Sequence, residues 1–271
     1  MRKYLVIGNP IGHSLSPLVQ NYWIRKHKLI DSIYEKKEIE KKDLESIVKQ
    51  VRSDEIKGVN ITVPFKKEII PFLDHLDNIA LSTQSVNTLF KVKDEVWGYN
   101  TDAKGFDDSL ILKNIDYNNK DIFILGAGGV TSSIIHNLIF TVKKIYISNR
   151  TKKKAEQLKK LIDLTGKKIE VIDWGQKPKL CDIVINTTSV GLKKNENLSL
   201  NFKDYINRKD VLFYDTIYNP VETNFLKEAR LRGNKTMNGK MMFLYQAQIA
   251  FKIWTGIATE IDSEVIKLLD R

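Results

Sequence analysis

Apolar positions along this chain keep two rhythms, and the clearest lies between residues 121 and 151. Ile122, Phe123, Ile124 and Leu125 form an unbroken apolar run, the pattern of a strand buried on both faces of a parallel sheet. A glycine cluster follows as a turn: Gly126, Gly128 and Gly129. Val130, Ile134, Ile135, Leu138 and Ile139 then recur at helical spacing, and Ile145 and Ile147 bracket a second strand. The stretch reads as one βαβ unit of the usual length of about 30 residues. From there the alternation is regular, with strands expected at 121–125, 144–148, 169–173, 182–186 and 211–215 and helices between. That is a doubly wound parallel sheet.

The first hundred residues are less uniform. Residues 4–8 read as a strand, and the loop NPIGHSLSP leads into a helix with Leu18, Val19, Tyr22 and Trp23 on one face. Ser16 before Pro17 is the usual opening of a helix, with serine as cap and proline at the first helical position. Leu44, Ile47, Val48 and Val51 mark an amphipathic helix before a strand at 56–63, and Pro64 is expected to start a further short helix. Residues 85–99 read as two strands joined by a Lys-Asp-Glu turn, an antiparallel edge to this first domain. A helix with Phe106, Leu110 and Ile111 follows Asn100, Thr101 and Asp102. The helix from Met241 onward is apolar nearly all round and is expected to be buried between elements of both domains, so Gln246 within it needs a partner.

Length and composition refine the picture without redirecting it. At 271 residues and 42% hydrophobic composition, two α/β domains are expected rather than one. The single cysteine, Cys181, opens the apolar run CDIVIN and reads as a small buried residue. His13, His27, His75 and His136 have no metal-ligand spacing, so no metal is expected. The start of the chain lacks a secretory signal, and the apolar stretch 241–254 is interrupted by Gln246, Gln248 and Lys252 and falls short of the ~20 residues a bilayer needs. A cytoplasmic protein with no membrane partner is the expectation. The net charge of +11 is spread through every helix without a nucleic-acid motif, which favours a solvated lysine-rich surface and anionic small molecules over nucleic acid. The polar loop at 193–203 is expected to be mobile. There are no internal repeats.

Candidate chemistry concentrates at the turns. Gly126 suits the tight turn of a dinucleotide site and Gly128 the close approach to a pyrophosphate at a helix N-terminus, while Thr131 takes the place of the third glycine. At the end of the second strand, where an NAD enzyme usually has an acid for the ribose hydroxyl, stand Asn149, Arg150 and Thr151, followed by Lys152, Lys153 and Lys154. Basic groups there suit a 2′-phosphate, so the cofactor is read as NADP. NTTSVG at 186–191 lies at a strand end on the ligand-binding edge. Ser14 and Ser16 could together hold a carboxylate. A lysine in the first turn of a helix is disfavoured by the helix dipole, which invites a functional reason for Lys66, although plain solvation would also serve. Asp102 reads equally as a helix cap.

The motifs taken together resemble a shikimate dehydrogenase over nearly the whole chain: GNPIGHSLSP, NITVPFK at 60–66, SVNTL at 85–89, NTD at 100–102, GAGGVT, NRT, NTTSVG, YDTIYNP and a late QA pair. The resemblance implies reversible reduction of 3-dehydroshikimate to shikimate with NADPH, on the way to chorismate and aromatic amino acids. It implies a substrate domain of residues 1–102, completed by C-terminal helices at 240–271, and a Rossmann-type NADP domain at 103–239. Position by position, Ser14 and Ser16 would bind the substrate carboxylate. Asn60, Thr62, Asn87, Tyr218 and Gln246 would line its hydroxyls and ring, and Lys66 and Asp102 would stand at the reacting centre. Gly126, Ala127, Gly128, Gly129, Val130, Asn149, Arg150, Thr151, Lys154, Thr187, Thr216 and Gly239 would contact NADP. Negative charge developing on the ketone oxygen needs a proton donor and a positive group, and Lys66 oriented by Asp102 could supply both.

The chain departs from the family pattern near the nicotinamide at Asn238, often acidic, and Met241, often glycine. Lys154 also replaces an arginine common in relatives, keeping the charge but losing the bidentate fork. Rival readings are a paralogue that also oxidises quinate or uses NAD, a non-catalytic NADP-binding regulatory module, and, third, a nucleic-acid binder. A small-molecule partner and a monomer or homodimer are expected.

Overall fold

The computed structural model describes residues 1–193, 196–198 and 210–270, so most of the expected loop at 193–203 lies outside the described residues. The chain divides into two compact units. One is Met1–Gly105 with Leu244–Leu269, and the other is centred on Phe106–Phe243.

The first unit holds a mixed sheet of β1 (Arg2–Gly8), β2 (Ser32–Glu38), β3 (Gly58–Ile61), β4 (His75–Leu76), β5 (Thr88–Val92) and β6 (Glu95–Tyr99). Its spatial order is β2-β1-β3-β5-β6-β4. β1 runs parallel to both β2 and β3, and β5 is antiparallel to β3 and β6. The helix α1 (Ser16–Lys26) follows β1, and α2 (Leu44–Arg52) buries Leu44, Ile47, Val48 and Val51, the one-face spacing read from the sequence. These four join Leu5, Ile7, Val59, Ile61, Leu89 and Val96 in one core. A short α3 (Asn78–Thr83) is capped by the Asp77 carboxylate.

The second unit is a six-stranded parallel sheet of β7 (Asp121–Leu125), β8 (Lys144–Ser148), β9 (Ile169–Ile172), β10 (Ile183–Asn186), β11 (Leu212–Asp215) and β12 (Lys235–Met237), in the order β12-β11-β10-β7-β8-β9. The order reverses between β7 and β10, which makes that crevice the ligand edge of a doubly wound sheet. The unbroken apolar run in β7 is explained by its position: Ile122 and Ile124 enter one core and Phe123 and Leu125 another on the opposite face. The first of these cores takes Ile134, Ile135 and Leu138 from α5 (Gly129–Leu138), Ala155 and Leu158 from α6 (Lys152–Ile162), and Phe106 and Leu110 from α4 (Asp102–Leu112). The second takes Phe225, Leu226 and Ala229 from α7 (Asn224–Leu231), together with the buried Cys181. The late helix is α8 (Lys240–Thr255), in which Lys252 alone is exposed, and the short α9 (Ser263–Lys267) follows it.

Several local expectations need correction. β2, SIYEKKE, has no apolar run, because only Tyr34 is buried on this edge strand. The short strand at 235–237 was equally silent. Residues 63–69 form successive turns, and the only regular helix nearby is a 3₁₀ turn at Ile70–Phe72. The Lys66 carbonyl, which a helix would spend on Ile70, instead accepts the Val86 N–H at 2.8 Å. With no helix, the dipole argument for Lys66 falls away. Ser16 is the first residue of α1, the cap position is Leu15, and no side chain caps it.

Candidate active site

Three strand ends of the first unit set the site. β1 and β3 lie side by side, so the loops leaving them are neighbours, and Asn9 N–H donates to the Val63 carbonyl at 3.1 Å. The loop after β1 is held from the β2 side. Glu38 accepts the Ile11 N–H at 3.2 Å, and the Lys36 ammonium donates to the Gly12 carbonyl at 2.5 Å. This presents Ser14 and Ser16, whose hydroxyls are 3.2 Å apart, with the Ser16 N–H also directed at Ser14 Oγ. Two adjacent hydroxyls at the opening of an eleven-residue helix have the chemistry to donate to an anion. Thr62 follows β3, and among the described residues its hydroxyl has no partner.

Lys66 and Asp102, the pair with the strongest chemistry, meet. Lys66 Nζ is 2.5 Å from Asp102 Oδ2, with the two side chains only 13% and 8% exposed. Lys67, by contrast, is solvated. The capping role open to Asp102 is taken by Asn100, whose Oδ1 accepts the N–H groups of Asp102 and Ala103 at 3.0 and 3.3 Å. Asn100 Nδ2 in turn donates to the Ser85 carbonyl at 2.8 Å. Both carboxylate oxygens of Asp102 therefore serve other side chains: Oδ2 takes Lys66 and Oδ1 accepts from Asn87 Nδ2 at 2.9 Å. An ammonium has three donors, and among the described residues Asp102 is the only side-chain partner of Lys66, which leaves donors for a ligand.

Asn87 ties the cluster together. Its Oδ1 accepts the Thr101 N–H at 2.8 Å, and its Nδ2 also reaches Thr101 Oγ1 at 2.9 Å and Gln246 Oε1 at 3.5 Å. Gln246 thus has the partners its place in an apolar helix required. Asn60 is more committed than its expected role suggests: its Nδ2 donates to the Asn87 carbonyl and to Thr88 Oγ1, both at 3.1 Å, and its Oδ1 accepts from Tyr34 at 2.7 Å. Asn100 and Thr101 stand in the NTD motif but had no role assigned from the sequence, and Tyr34 was not singled out. Tyr34 gave no signal at all in its polar strand.

In the second unit, Gly126 has φ +111°, a backbone that side chains resist, and a Cβ there would strike the Thr187 hydroxyl. The next residues, Ala127 to Val130, carry the turn into α5, with Gly128 exposed at the cap position. Thr131 explains its place at the third glycine position: its hydroxyl accepts the Gly128 N–H at 3.1 Å and donates to Thr187 Oγ1 at 2.7 Å. Thr187 Oγ1 donates to the Leu125 carbonyl at 2.7 Å, so its hydroxyl is spent within the protein. Thr216 similarly donates to the Asn186 carbonyl, and Gly239 packs so tightly on the Thr216 main chain that no Cβ fits. Asn149 Nδ2 holds the Thr151 carbonyl at 2.8 Å. Arg150, Thr151 and Lys154 are exposed, and among the described residues no carboxylate pairs with Arg150 or Lys154. A glycine turn at a helix N-terminus beside unpaired basic groups fits a phosphorylated dinucleotide. Tyr218 is stacked on Phe243 with centroids 4.3 Å apart.

Asp215, at the end of β11, was overlooked. It is fully buried, and burial pushes its carboxyl up to about 6 even though Thr223, the Ile217 N–H and Asn186 all donate to it. Through those three contacts it locks the loops that leave β10 and β11.

Known proteins resemble this chain over nearly its whole length. Residues 6–89 match the family described as shikimate dehydrogenase substrate binding domain, and residues 109–224 match shikimate / quinate 5-dehydrogenase. A shikimate dehydrogenase (NADP(+)) of Pelagibacter ubique is 51% identical over 270 residues, covering 99% of each chain. A crystallised shikimate dehydrogenase in complex with NADP+ superposes with a TM-score of 0.90 at 32% identity, over 100% of this chain and 94% of that one. The shikimate 5-dehydrogenase of Listeria monocytogenes, crystallised with shikimate and NAD, gives 0.86 at 30% identity, over 98% and 95%.

Proposed function

The chain belongs to the shikimate dehydrogenase family, and on that premise we propose how its residues carry out the NADP-dependent interconversion of 3-dehydroshikimate and shikimate. The first unit is the substrate-binding unit, and the second is the NADP unit. Bound reduced NADP supplies the hydride. The work of the chain is to hold the substrate and manage the proton.

Ser14 and Ser16 receive the substrate carboxylate with hydroxyl donors, and Thr62, Asn87 and Gln246 meet its hydroxyls and ring. Asn60 acts mainly from behind, since its amide hydrogens are already given to Asn87 and Thr88. As the ketone becomes an alkoxide, Lys66 lies against the growing negative charge and gives the oxygen its proton. Asp102 aims the ammonium and balances it, and in the reverse direction neutral Lys66 takes the proton from the hydroxyl. Arg150 and Lys154 hold the 2′-phosphate, with Asn149 shaping the turn that presents them.

The observation that carries this reading is the shielded 2.5 Å contact of Lys66 with Asp102, whose other oxygen is fixed by Asn87. The experiment follows NADPH absorbance with 3-dehydroshikimate and, separately, 3-dehydroquinate. Rapid oxidation with the first and little with the second is expected. Binding of NADPH without turnover of either would point to the regulatory module, and equal turnover of both to the quinate paralogue.

A further inference from the structure

Behind the residues assigned to substrate, a directed chain of hydrogen bonds begins at Tyr34. Tyr34 pairs in register with Tyr4 of β1, which pairs with Gly58 of β3, and Asn60 lies two residues beyond Gly58 on the same face. The phenol therefore spans β1 to reach Asn60, and both ends of the bond are buried, at 2% and 7% exposure.

The direction of each bond follows from the one before. The Asn87 carbonyl only accepts, so the Asn60 amide hydrogens face it and Thr88 Oγ1, the Asn60 oxygen faces Tyr34 at 2.7 Å, and the phenol, which could otherwise accept, must donate. Having accepted from Asn60, Thr88 turns its own hydrogen to Asn87 Oδ1 at 3.1 Å. Asn87 then presents its amide hydrogens to Asp102 and Thr101. Rotating the Asn60 amide by half a turn would set its oxygen against the Asn87 carbonyl, two acceptors in a buried place. Asn87 has a second anchor in the Thr101 N–H, so the effect of Tyr34 falls chiefly on Asn60 and the Asn87 main chain.

We infer, on the shikimate dehydrogenase reading above, that Tyr34 is a positioning residue: its hydroxyl holds the Asn60 oxygen, and with it the amide that braces Thr88 and the Asn87 main chain under the substrate. Tyr34→Phe tests this cleanly, because the ring and its packing near Trp254 remain. The substrate KM is expected to rise about fivefold to tenfold, the weight of one neutral hydrogen bond, with kcat changed less than about threefold and the KM for NADPH unchanged. In an Asn60→Ala background, the same substitution should have no further effect, since no side-chain oxygen is left for the phenol to hold. A readout without turnover accompanies this: the Asn60 side-chain amide signals in ¹H–¹⁵N NMR should shift and exchange faster with solvent in Tyr34→Phe. The wild-type rate on 3-dehydroshikimate judges the family reaction, whereas the mutant ratio and the amide signals judge Tyr34. An unchanged KM, equal effects in both backgrounds, or undisturbed Asn60 signals would each overturn the assignment.

Discussion

Lys66 and Asp102 carry the chemistry at the scale of single residues, because their side chains meet in an ion pair shielded from solvent. Lys66 was open between solvation and function, and the argument that favoured function, a penalised helix start, is absent from the structure. What replaces it is stronger: a shielded ion pair whose carboxylate partner has been relieved of capping duty by Asn100. That relation joins residues 36 positions apart and could not be read from local spacing. Arg150 is a different case, legible from a strand end with basic residues where an acid usually stands. Arg150→Ala is expected to weaken NADPH binding by about tenfold or more, the weight of a charge-assisted hydrogen bond, in a fluorescence titration. NADH binding should change far less, because it lacks the 2′-phosphate. Asp102→Asn should cut kcat by about 10² while leaving NADPH binding intact, since an amide cannot balance the ammonium that it must aim.

Among elements, those with a strong periodic pattern were legible and those shaped by tertiary contacts were not. The βαβ unit at 121–151, the Leu44 helix and the antiparallel pair after residue 85 all follow from burial of one or two faces. β2 was invisible because an edge strand needs no apolar run, and the supposed helix after Pro64 was undone by the bond from Val86 to the Lys66 carbonyl. Such tertiary contacts carry no local sequence signal. The start of α4 gives a test at this scale. Asn100→Ala removes two capping bonds and the tie to Ser85, and it is expected to cost about 1–2 kcal/mol in urea unfolding, with a parallel loss of kcat as Asp102 loosens. Asn100→Asp keeps the two cap acceptors but not the donor to Ser85, so it should recover only part of that stability.

At the scale of the whole molecule, stability should respond to pH through two carboxylates of opposite sign. Burial holds Asp215 at about 6 against an ordinary 3.8, so the folded protein binds that proton more tightly than the unfolded chain. The resulting stabilisation is full below about pH 4 and is lost as pH rises through about 6, a change of roughly 2–3 kcal/mol for a shift of about two units. Asp262 runs the other way. Burial pushes it up, but Lys26, the Val265 N–H and Tyr22 more than offset this and hold it at about 2. Its stabilisation is present above about pH 4 and lost on acidification toward 2. Unfolding of Asp215→Asn beside the wild type should therefore show the difference moving in favour of the variant between pH 4 and 6.5, and a pH-independent difference would remove Asp215 from this role. Among the described residues no helix is long and apolar enough to cross a membrane.

The central claim is that Lys66, aimed by Asp102, handles the proton at the reacting oxygen, and steady-state kinetics of Lys66→Ala with 3-dehydroshikimate and NADPH tests it most directly. Turnover should fall by about 10² or more with only a small change in the KM of either substrate. Near-normal turnover in that variant would contradict the account.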